Sequence, residues 1–415
     1  MELVQEKYKQ TEFGKIPEEW DLKEFHEVID GFSCGQTPYR AIKDYYKGDI
    51  PWITSGELNY NIVLDTIEKI TPEGVKAANL KTIPRGTFLF AITGLEATGT
   101  RGSCAITGIE ATTNQSCMAL YPKKNLLTTA YLYHYYVRYG DELAFKYCQG
   151  TKQQSYTGAI AKKLPIIVPP TINEQNAIAT ALSDADYWIK SLEQLITKKR
   201  LIKQGAIQEL LQPKEDWEEK RLGEICNYQN GTSLEKYFNN KDGYKVISIG
   251  NYSANGKFVK TDSFIDESNE SIIKKFILNK NELTMLLNDK TSIGTIIGRV
   301  LLIDKNNEYV FNQRTMRLIP HSNMNSSFLY HLINSDIIHN KIVASSKPGT
   351  QIYVNTKDIT DLILSIPNIK EQTRIATILS DIDAEMTTLE CKLEKAKQVK
   401  LGMMQELLTG RIRLV

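Results

Sequence analysis

The sequence predicts an α+β protein: two mixed α/β domains joined by two long antiparallel coiled-coil helices related by pseudo-twofold symmetry. Three observations predict it. A 42-residue segment occurs twice, at Pro170 to Leu211 and Pro367 to Leu408, aligning without a gap at an offset of 197 with twenty identities. Each copy carries apolar residues in alternating steps of four and three, the mark of a coiled-coil seam. Each copy follows a region of short strand-like runs broken by Gly, Pro and Thr.

The long helices come first because their signal is strongest. The stripe of the first copy holds Ile178, Leu182, Ala185, Ile189, Leu192, Ile196, Lys199, Lys203, Ala206 and Leu210. That of the second holds Ile375, Leu379, Ile382, Met386, Leu389, Leu393, Ala396, Lys400, Met403 and Leu407. Both weaken at the same place, Lys203 and Lys400, and both carry a glycine two residues later, Gly205 and Gly402. Pro169-Pro170 and Pro367 stop the extended runs ahead of them. A helix of about 38 residues extends about 57 Å. A single helix cannot bury such a stripe, so the two are expected to pack on each other as an antiparallel pair; the alternative is that each docks on its own domain. The repeat also reaches outside the helices. Trp20 lies opposite Trp217, Glu27 opposite Glu224, and Leu132-Tyr133-His134 opposite Leu329-Tyr330-His331. Gly31 to Ala111, by contrast, shares little with Tyr228 to Tyr309. Each half thus has a constant part and a variable part. A unit this long is not a solenoid repeat of about 20–50 residues.

Within the first mixed region, strands are expected at Ile50 to Thr54, Gly86 to Ile92 and Gln115 to Tyr121. Thr71-Pro72-Glu73 reads as a helix start, with a capping hydroxyl, a proline at the first position and a first-turn acid. Thr128-Thr129 is expected to cap a helix over Ala130 to Tyr139. In the second, strands are expected near Lys245 to Ile249, Glu282 to Leu287, Ile293 to Ile303 and Thr315 to Ile319, with a short helix after Ser326-Ser327. Gln212 to Glu219, polar and containing a proline, reads as the junction. Domain bounds are therefore set at 1–169, 170–212, 213–366 and 367–415.

Composition is that of an ordinary soluble protein, 41% apolar and 24% charged. No apolar run approaches the roughly 20 residues that span a bilayer, and the start of the chain does not read as a signal peptide. A cytoplasmic location is expected, since the six cysteines form no C-x-x-C pair and indicate neither a zinc site nor a disulfide framework. The net charge of +2 decides nothing about nucleic acid. The sequence holds no phosphate loop, dinucleotide fingerprint, H-E-x-x-H or nucleophile elbow. His134 and His331 read as packed or hydrogen-bonded. Asp184 with Asp186, and Asp381 with Asp383, sit at i and i+2 on a helix, do not face each other, and read as solvated or partner-facing. A non-catalytic binding protein with no cofactor of its own is expected.

Further words recur in order. The first half has Gly35-Gln36-Thr37-Pro38, Ile50-Pro51-Trp52-Ile53-Thr54 and Asn114-Gln115-Ser116-Cys117-Met118, then Gly150-Thr151 ahead of Pro165 to Gln175. The second has Asn312-Gln313-Arg314-Thr315-Met316, then Gly349-Thr350 ahead of Ile366 to Gln372. This set resembles the DNA specificity subunits of type I restriction-modification systems, the HsdS family, over nearly the whole chain. The second half departs by lacking G-x-T-P and I-P-W; Val246-Ile247-Ser248-Ile249-Gly250 is expected to occupy that strand.

The resemblance implies that the variable parts are target recognition domains, each reading a different half of a bipartite, asymmetric double-stranded DNA target. Base edges in the major groove are read by side chains such as Arg, Asn, Gln, Ser and Thr. In the first domain the candidates are Thr37, Tyr39, Arg40, Thr54, Ser55, Thr98, Thr100, Arg101, Asn114 and Gln115, with the glycine-flanked loop around Arg101 foremost. In the second they are Ser248, Asn251, Tyr252, Lys290, Thr291, Arg299, Gln313 and Arg314. The ordinary alternatives are that the Arg101 loop merely connects strands and that the Asn-Gln pairs are structural. Removing one turn from each long helix should change the gap between half-sites and leave their sequences alone. The resemblance further implies two methyltransferase (modification) subunits docked on the repeated helices, S-adenosylmethionine on those partners, and restriction endonuclease/translocase subunits completing the complex. The competing reading is a coiled-coil adaptor that holds two protein partners without DNA readout; a gel shift at rising salt separates the two.

Overall fold

The computed structural model describes residues 7–96, 100–150, 154–347, 349 and 351–414. The chain divides into two compact units, Met1–Glu193 with Lys392–Val415, and Gln194–Cys391. Each contains one mixed region and a stretch of both long helices.

The first unit is built on a five-stranded sheet in the order Ile29–Cys34, Cys117–Pro122, Phe88–Ala91, Cys104–Thr107, Asn61–Val63. Phe88 to Ala91 is apolar throughout because it is central and buried on both faces. The helix Thr129–Tyr147 covers it, with the Tyr136 ring edge-on to Phe88 and Phe90 at 5.6 and 5.2 Å between centroids. Its N-cap is Thr128, as expected, but it runs eight residues past Tyr139. A smaller sheet places Ile50–Ile53 parallel to Thr112–Thr113 and antiparallel to Glu68–Ile70. The helix Pro72–Ala77 starts at Thr71, whose hydroxyl accepts from the Gly74 amide at 3.2 Å.

The second unit repeats this plan. Its main sheet runs Cys226–Asn230, Thr315–Pro320, Leu283–Leu286, Val300–Leu302. Tyr244–Ile247 runs parallel to Tyr309–Phe311, which confirms that Val246-Ile247 stands where Trp52-Ile53 stands in the first unit. Two expectations need correction. Of Ile293 to Ile303 only Val300–Leu302 is strand. The buried Asp289 carboxylate instead gathers the amides of Thr291 and Ile296, both at 2.9 Å, and Gly294 and Gly298 take positive φ, so the segment turns. The short helix Ser326–Ile333 is capped by Asn325, and a second helix, Asp336–Ser345, follows a break at Asn334-Ser335.

The long helices span Ile172–Leu210 and Ile369–Leu407. Thr171 and Asn368, equivalent in the repeat, cap them by accepting from the amides of Glu174 and Glu371 at 3.1 and 3.0 Å. Every stripe position is buried or half-buried. The pairing is antiparallel within each unit. In the first, Lys400 meets Asp186 at 2.5 Å and Lys397 meets Glu193 at 2.9 Å. In the second, Lys203 meets Asp383 at 2.6 Å and Lys199 meets Glu385 at 2.7 Å. The lysines that weaken the stripe are therefore half of a repeated ion pair, and Asp186 and Asp383 face them rather than solvent. Beside each pair stands a histidine: His134 Nε2 lies 2.9 Å from Ser183 Oγ, and His331 Nε2 lies 3.3 Å from Ser380 Oγ. Burial pushes both imidazoles down to about 4.

The repeated Glu-Gln word also has a structural reason. Gln175 accepts from the Thr128 amide at 2.9 Å and donates to the Leu126 carbonyl at 2.9 Å. Gln372 accepts from the Asn325 amide at 2.9 Å and donates to the Pro367 carbonyl at 2.9 Å. Each glutamine ties a long helix to the start of the helix that covers its sheet. Among the described residues no helix is long and apolar enough to cross a membrane.

Candidate nucleic-acid interface

Each unit carries a glycine-led loop braced against a tight Asn-Gln turn. In the first unit the loop is 35–40. Gly35 lies so close to the Thr113 carbonyl that a Cβ would sit 1.7 Å from its oxygen, so only glycine fits. Gln36 donates its amide to Thr113 O at 3.1 Å, Trp52 Nε1 donates to Gln36 O at 3.1 Å, and Tyr46 hydroxyl donates to Pro38 O at 2.5 Å. These bonds freeze the loop and leave Tyr39 72% exposed. Thr37 donates to Gln115 Oε1 at 2.5 Å. The turn is tightened by Asn114 Oδ1, which accepts from the Ser116 amide at 3.0 Å. Arg40 lies 4.4 Å over the Tyr46 ring and 5.0 Å from that of Trp52 and forms a two-pronged pair with Glu68 at 2.5 and 2.8 Å. That bond raises the guanidinium pKa and lowers that of the carboxylate. Thr37, Tyr39, Arg40, Asn114 and Gln115 are thus brought together.

The second unit builds the same device from other residues. Gly231 approaches Asn312 as Gly35 approaches Thr113; a Cβ there would sit 2.0 Å from the Asn312 carbonyl oxygen. Thr232 bridges to Asn312 in parallel. Gly231-Thr232 is therefore the structural counterpart of Gly35-Gln36, although the second half lacks the G-x-T-P word itself. Glu235, half a loop on, accepts from Ser233 Oγ at 2.5 Å, Asn312 Nδ2 at 2.9 Å and Gln313 Nε2 at 2.6 Å. Burial alone would raise its pKa, but those donors hold the carboxyl at about 2. Arg314 is exposed and in the left-handed region at φ +67°, a conformation that costs a non-glycine residue about 1 kcal/mol or more.

Other candidates lie elsewhere, and several are committed to the fold. Thr54 and Ser248 are the caps of matching turns. Thr54 Oγ1 donates to Glu57 at 2.8 Å and the Ser248 amide donates to Asn251 Oδ1 at 2.8 Å. Ser55 is half-buried in the first of these turns. Asn251 is 1% exposed and spends its amide nitrogen on Val259 O and Thr261 Oγ1 at 2.9 and 3.0 Å; Tyr252 is buried beside it. Neither presents a group at the surface. Arg299 is 7% exposed, donating to Asn334 O at 2.6 Å, so it too is interior.

The Arg101 loop is tied to the rest of its unit. Arg101 pairs with Asp141 at 3.2 Å and lies 5.5 Å from the Phe145 ring, pinning the loop to the covering helix. Thr100 donates to Gly94 O at 2.6 Å, and Thr98 lies outside the described residues. Lys290 is exposed, while Thr291 is tied to Asp289 at 2.9 Å.

Sequence reasoning missed Gly231, Thr232 and Glu235. The Gly-Thr dipeptide was a usable signal, but it matches Gly35 at an offset of 196, whereas the Asn-Gln turns match at 198, so an ungapped comparison at 197 passes over both.

A family model described as the type I restriction modification DNA specificity domain matches residues 17–201 and again 214–398. The type I restriction enzyme MjaIX specificity subunit of Methanocaldococcus jannaschii is 27% identical over 438 residues, covering 98% of this chain and 96% of that protein. The MjaVIII specificity subunit of the same organism is 23% identical over 440 residues, covering 100% and 99%. Among solved structures, the type I restriction-modification S subunit from M. genitalium aligns with a TM-score of 0.62 at 15% identity, over 94% of this chain and 96% of that one. That likeness is one of fold.

Proposed function

From the premise that the chain belongs to the family of type I restriction-modification DNA specificity domains, we propose that it reads a bipartite, asymmetric double-stranded DNA target with two recognition domains, 1–169 and 213–366, carried on spacer helices 170–212 and 367–415. Thr37, Tyr39, Arg40 and Gln115 read one half-site; Gln313 and Arg314 read the other, and Lys290 contacts phosphate. The observation that carries this is a glycine-led loop set against an Asn-Gln turn in both units, similar in placement but with different bonds and different outward side chains. A shared function with two different targets requires that combination.

The chain itself is non-catalytic in this reading. Two methyltransferase subunits dock on the long helices, where Tyr187, Trp188, Leu201 and Ile202 are exposed apolar side chains. The methyl donor, S-adenosylmethionine, binds those partners, and restriction endonuclease/translocase subunits join them in the cytoplasm. The test is methylation-sensitive sequencing of DNA from cells that express this chain with its modification partner. A single two-part motif is expected. Binding that is insensitive to sequence, or absent at low salt with the partner present, defeats the proposal.

A further inference from the structure

We infer that Glu235 is a positioning residue that fixes the orientation of the Gln313 amide, and that Gln313 thereby selects adenine in the half-site read by the second unit. The inference rests on the reading proposed above and adds a base and a mechanism to it.

An amide side chain can usually turn over, exchanging its donor and acceptor ends. Gln313 cannot do so at low cost. Its nitrogen stands 2.6 Å from Glu235 Oε1, and an ionised carboxylate only accepts. The flipped amide would set carbonyl against carboxylate. Glu235 is itself held from several sides. Ser233 donates to its other oxygen at 2.5 Å, and Asn312 Nδ2 shares Oε1 at 2.9 Å. Asn312 is buried and fixed from its far end, where Oδ1 accepts from the Leu234 amide at 3.0 Å. Thr315 closes the turn by donating to Asn312 O at 2.5 Å.

This leaves Gln313 with its carbonyl oxygen and the second amide hydrogen for a ligand. In the major groove adenine offers the matching pair, an N6 amino donor beside the N7 acceptor. Guanine offers two acceptors and would face the carbonyl oxygen with O6 or N7. Cytosine supplies only one of the two bonds and thymine an acceptor beside a methyl group. The first unit has no such lock. Gln115 is held by the Thr37 hydroxyl, which can donate or accept, so its amide is free to present either end.

The experiment uses the full chain expressed with its modification partner, with methylated sites sequenced genome-wide. Glu235→Gln lets the Gln313 amide turn over. Preference for adenine should fall about tenfold or more at one base pair of one half-site. The other half-site and the gap should stay as they were. Glu235→Asp, which keeps the charge, should restore the preference. Gln313→Ala, at a half-buried surface position, should relax the same base pair, and covers the case in which Glu235→Gln does not fold. Unchanged selectivity in Gln313→Ala, a uniform loss over all positions in Glu235→Gln, or relaxation at a base pair other than adenine overturns the inference. A wild-type chain that yields no two-part motif instead overturns the reading on which it rests.

Discussion

The two units share a plan yet hold their corresponding acidic residues in opposite ways. Glu174 and Glu371 occupy the same place in the repeat, in the first turn of each long helix. Glu174 is buried and clasped by Arg413, whose Nη2 reaches Oε2 at 3.0 Å. Glu371 is partly exposed and is held by Arg374 one turn along at 2.7 and 2.8 Å. The first unit thus recruits Arg413, 239 residues along the chain from Glu174, whereas the second holds the same carboxylate chiefly from the next turn, with Lys214 3.7 Å away. Where the fold demands a contact, duplication preserves it; where demand is weaker, chemistry drifts.

The largest expected effect tests that contrast. Arg413→Ala abandons a buried carboxylate and should destabilise the first unit by about 3–5 kcal/mol. Arg374→Ala breaks a pair exposed to water and should cost no more than about 1 kcal/mol. Denaturant unfolding followed by hydrogen exchange would assign each loss to its unit. Equal losses would show that Glu174 and Glu371 are held alike.

Where the units agree, they should respond alike. His134 and His331 sit in matching sites, and burial lowers both from the usual value near 6.5 to about 4. The unfolded chain takes up a proton as pH falls through about 6.5, whereas the native chain resists until about 4. Stability is therefore full above about 6.5 and declines toward about 4, by about 1.4 kcal/mol per pH unit for each histidine. His134→Gln and His331→Gln should each remove about half of that slope in denaturant melts between pH 4.5 and 7. A slope that responds to only one of them breaks the equivalence. The neighbouring ion pairs sharpen the same comparison. Lys203→Met and Lys400→Met each leave a half-buried aspartate without its cation, at a cost of about 1.5–3 kcal/mol. The two losses should agree within about 0.5 kcal/mol.

What was legible in the sequence follows from where the causes lie. The long helices were readable because their period is local and repeats for 39 residues in each copy. Lys203 looked like a flaw in the stripe because its partner, Asp383, is 180 residues away. A separation of 40 residues likewise hid Asp141 from the reading of Arg101, so a DNA-reading loop was expected with no sign that its arginine is tied to the covering helix. The Asn-Gln turns were visible as words, but the carboxylate that orients Gln313 lies 78 residues upstream and has no counterpart in the first unit's motif. Patterns along the chain reveal elements; the chemistry that fixes a side chain is set by residues that only folding brings near.

The smallest effects concern Thr54 and Ser248, which were candidate readers and which the structure uses as caps. Each starts a matching turn closed by a buried side chain, Glu57 in one unit and Asn251 in the other. Glu57 accepts from the Thr54 amide and hydroxyl, both at 2.8 Å, and also from the Ile67 amide at 2.9 Å. Asn251 accepts from the Ser248 amide at 2.8 Å and from its hydroxyl at 3.3 Å. The longer hydroxyl bond, made to a neutral amide, is the weaker. Thr54→Ala should therefore cost about 1–2 kcal/mol and Ser248→Ala about 0.5–1 kcal/mol. A cap acts on stability and not on base choice, so the methylated motif should be the same in both variants as in the wild type. A change in one half-site on removal of either hydroxyl would return that residue to the reading surface and show that the turn serves recognition as well as folding.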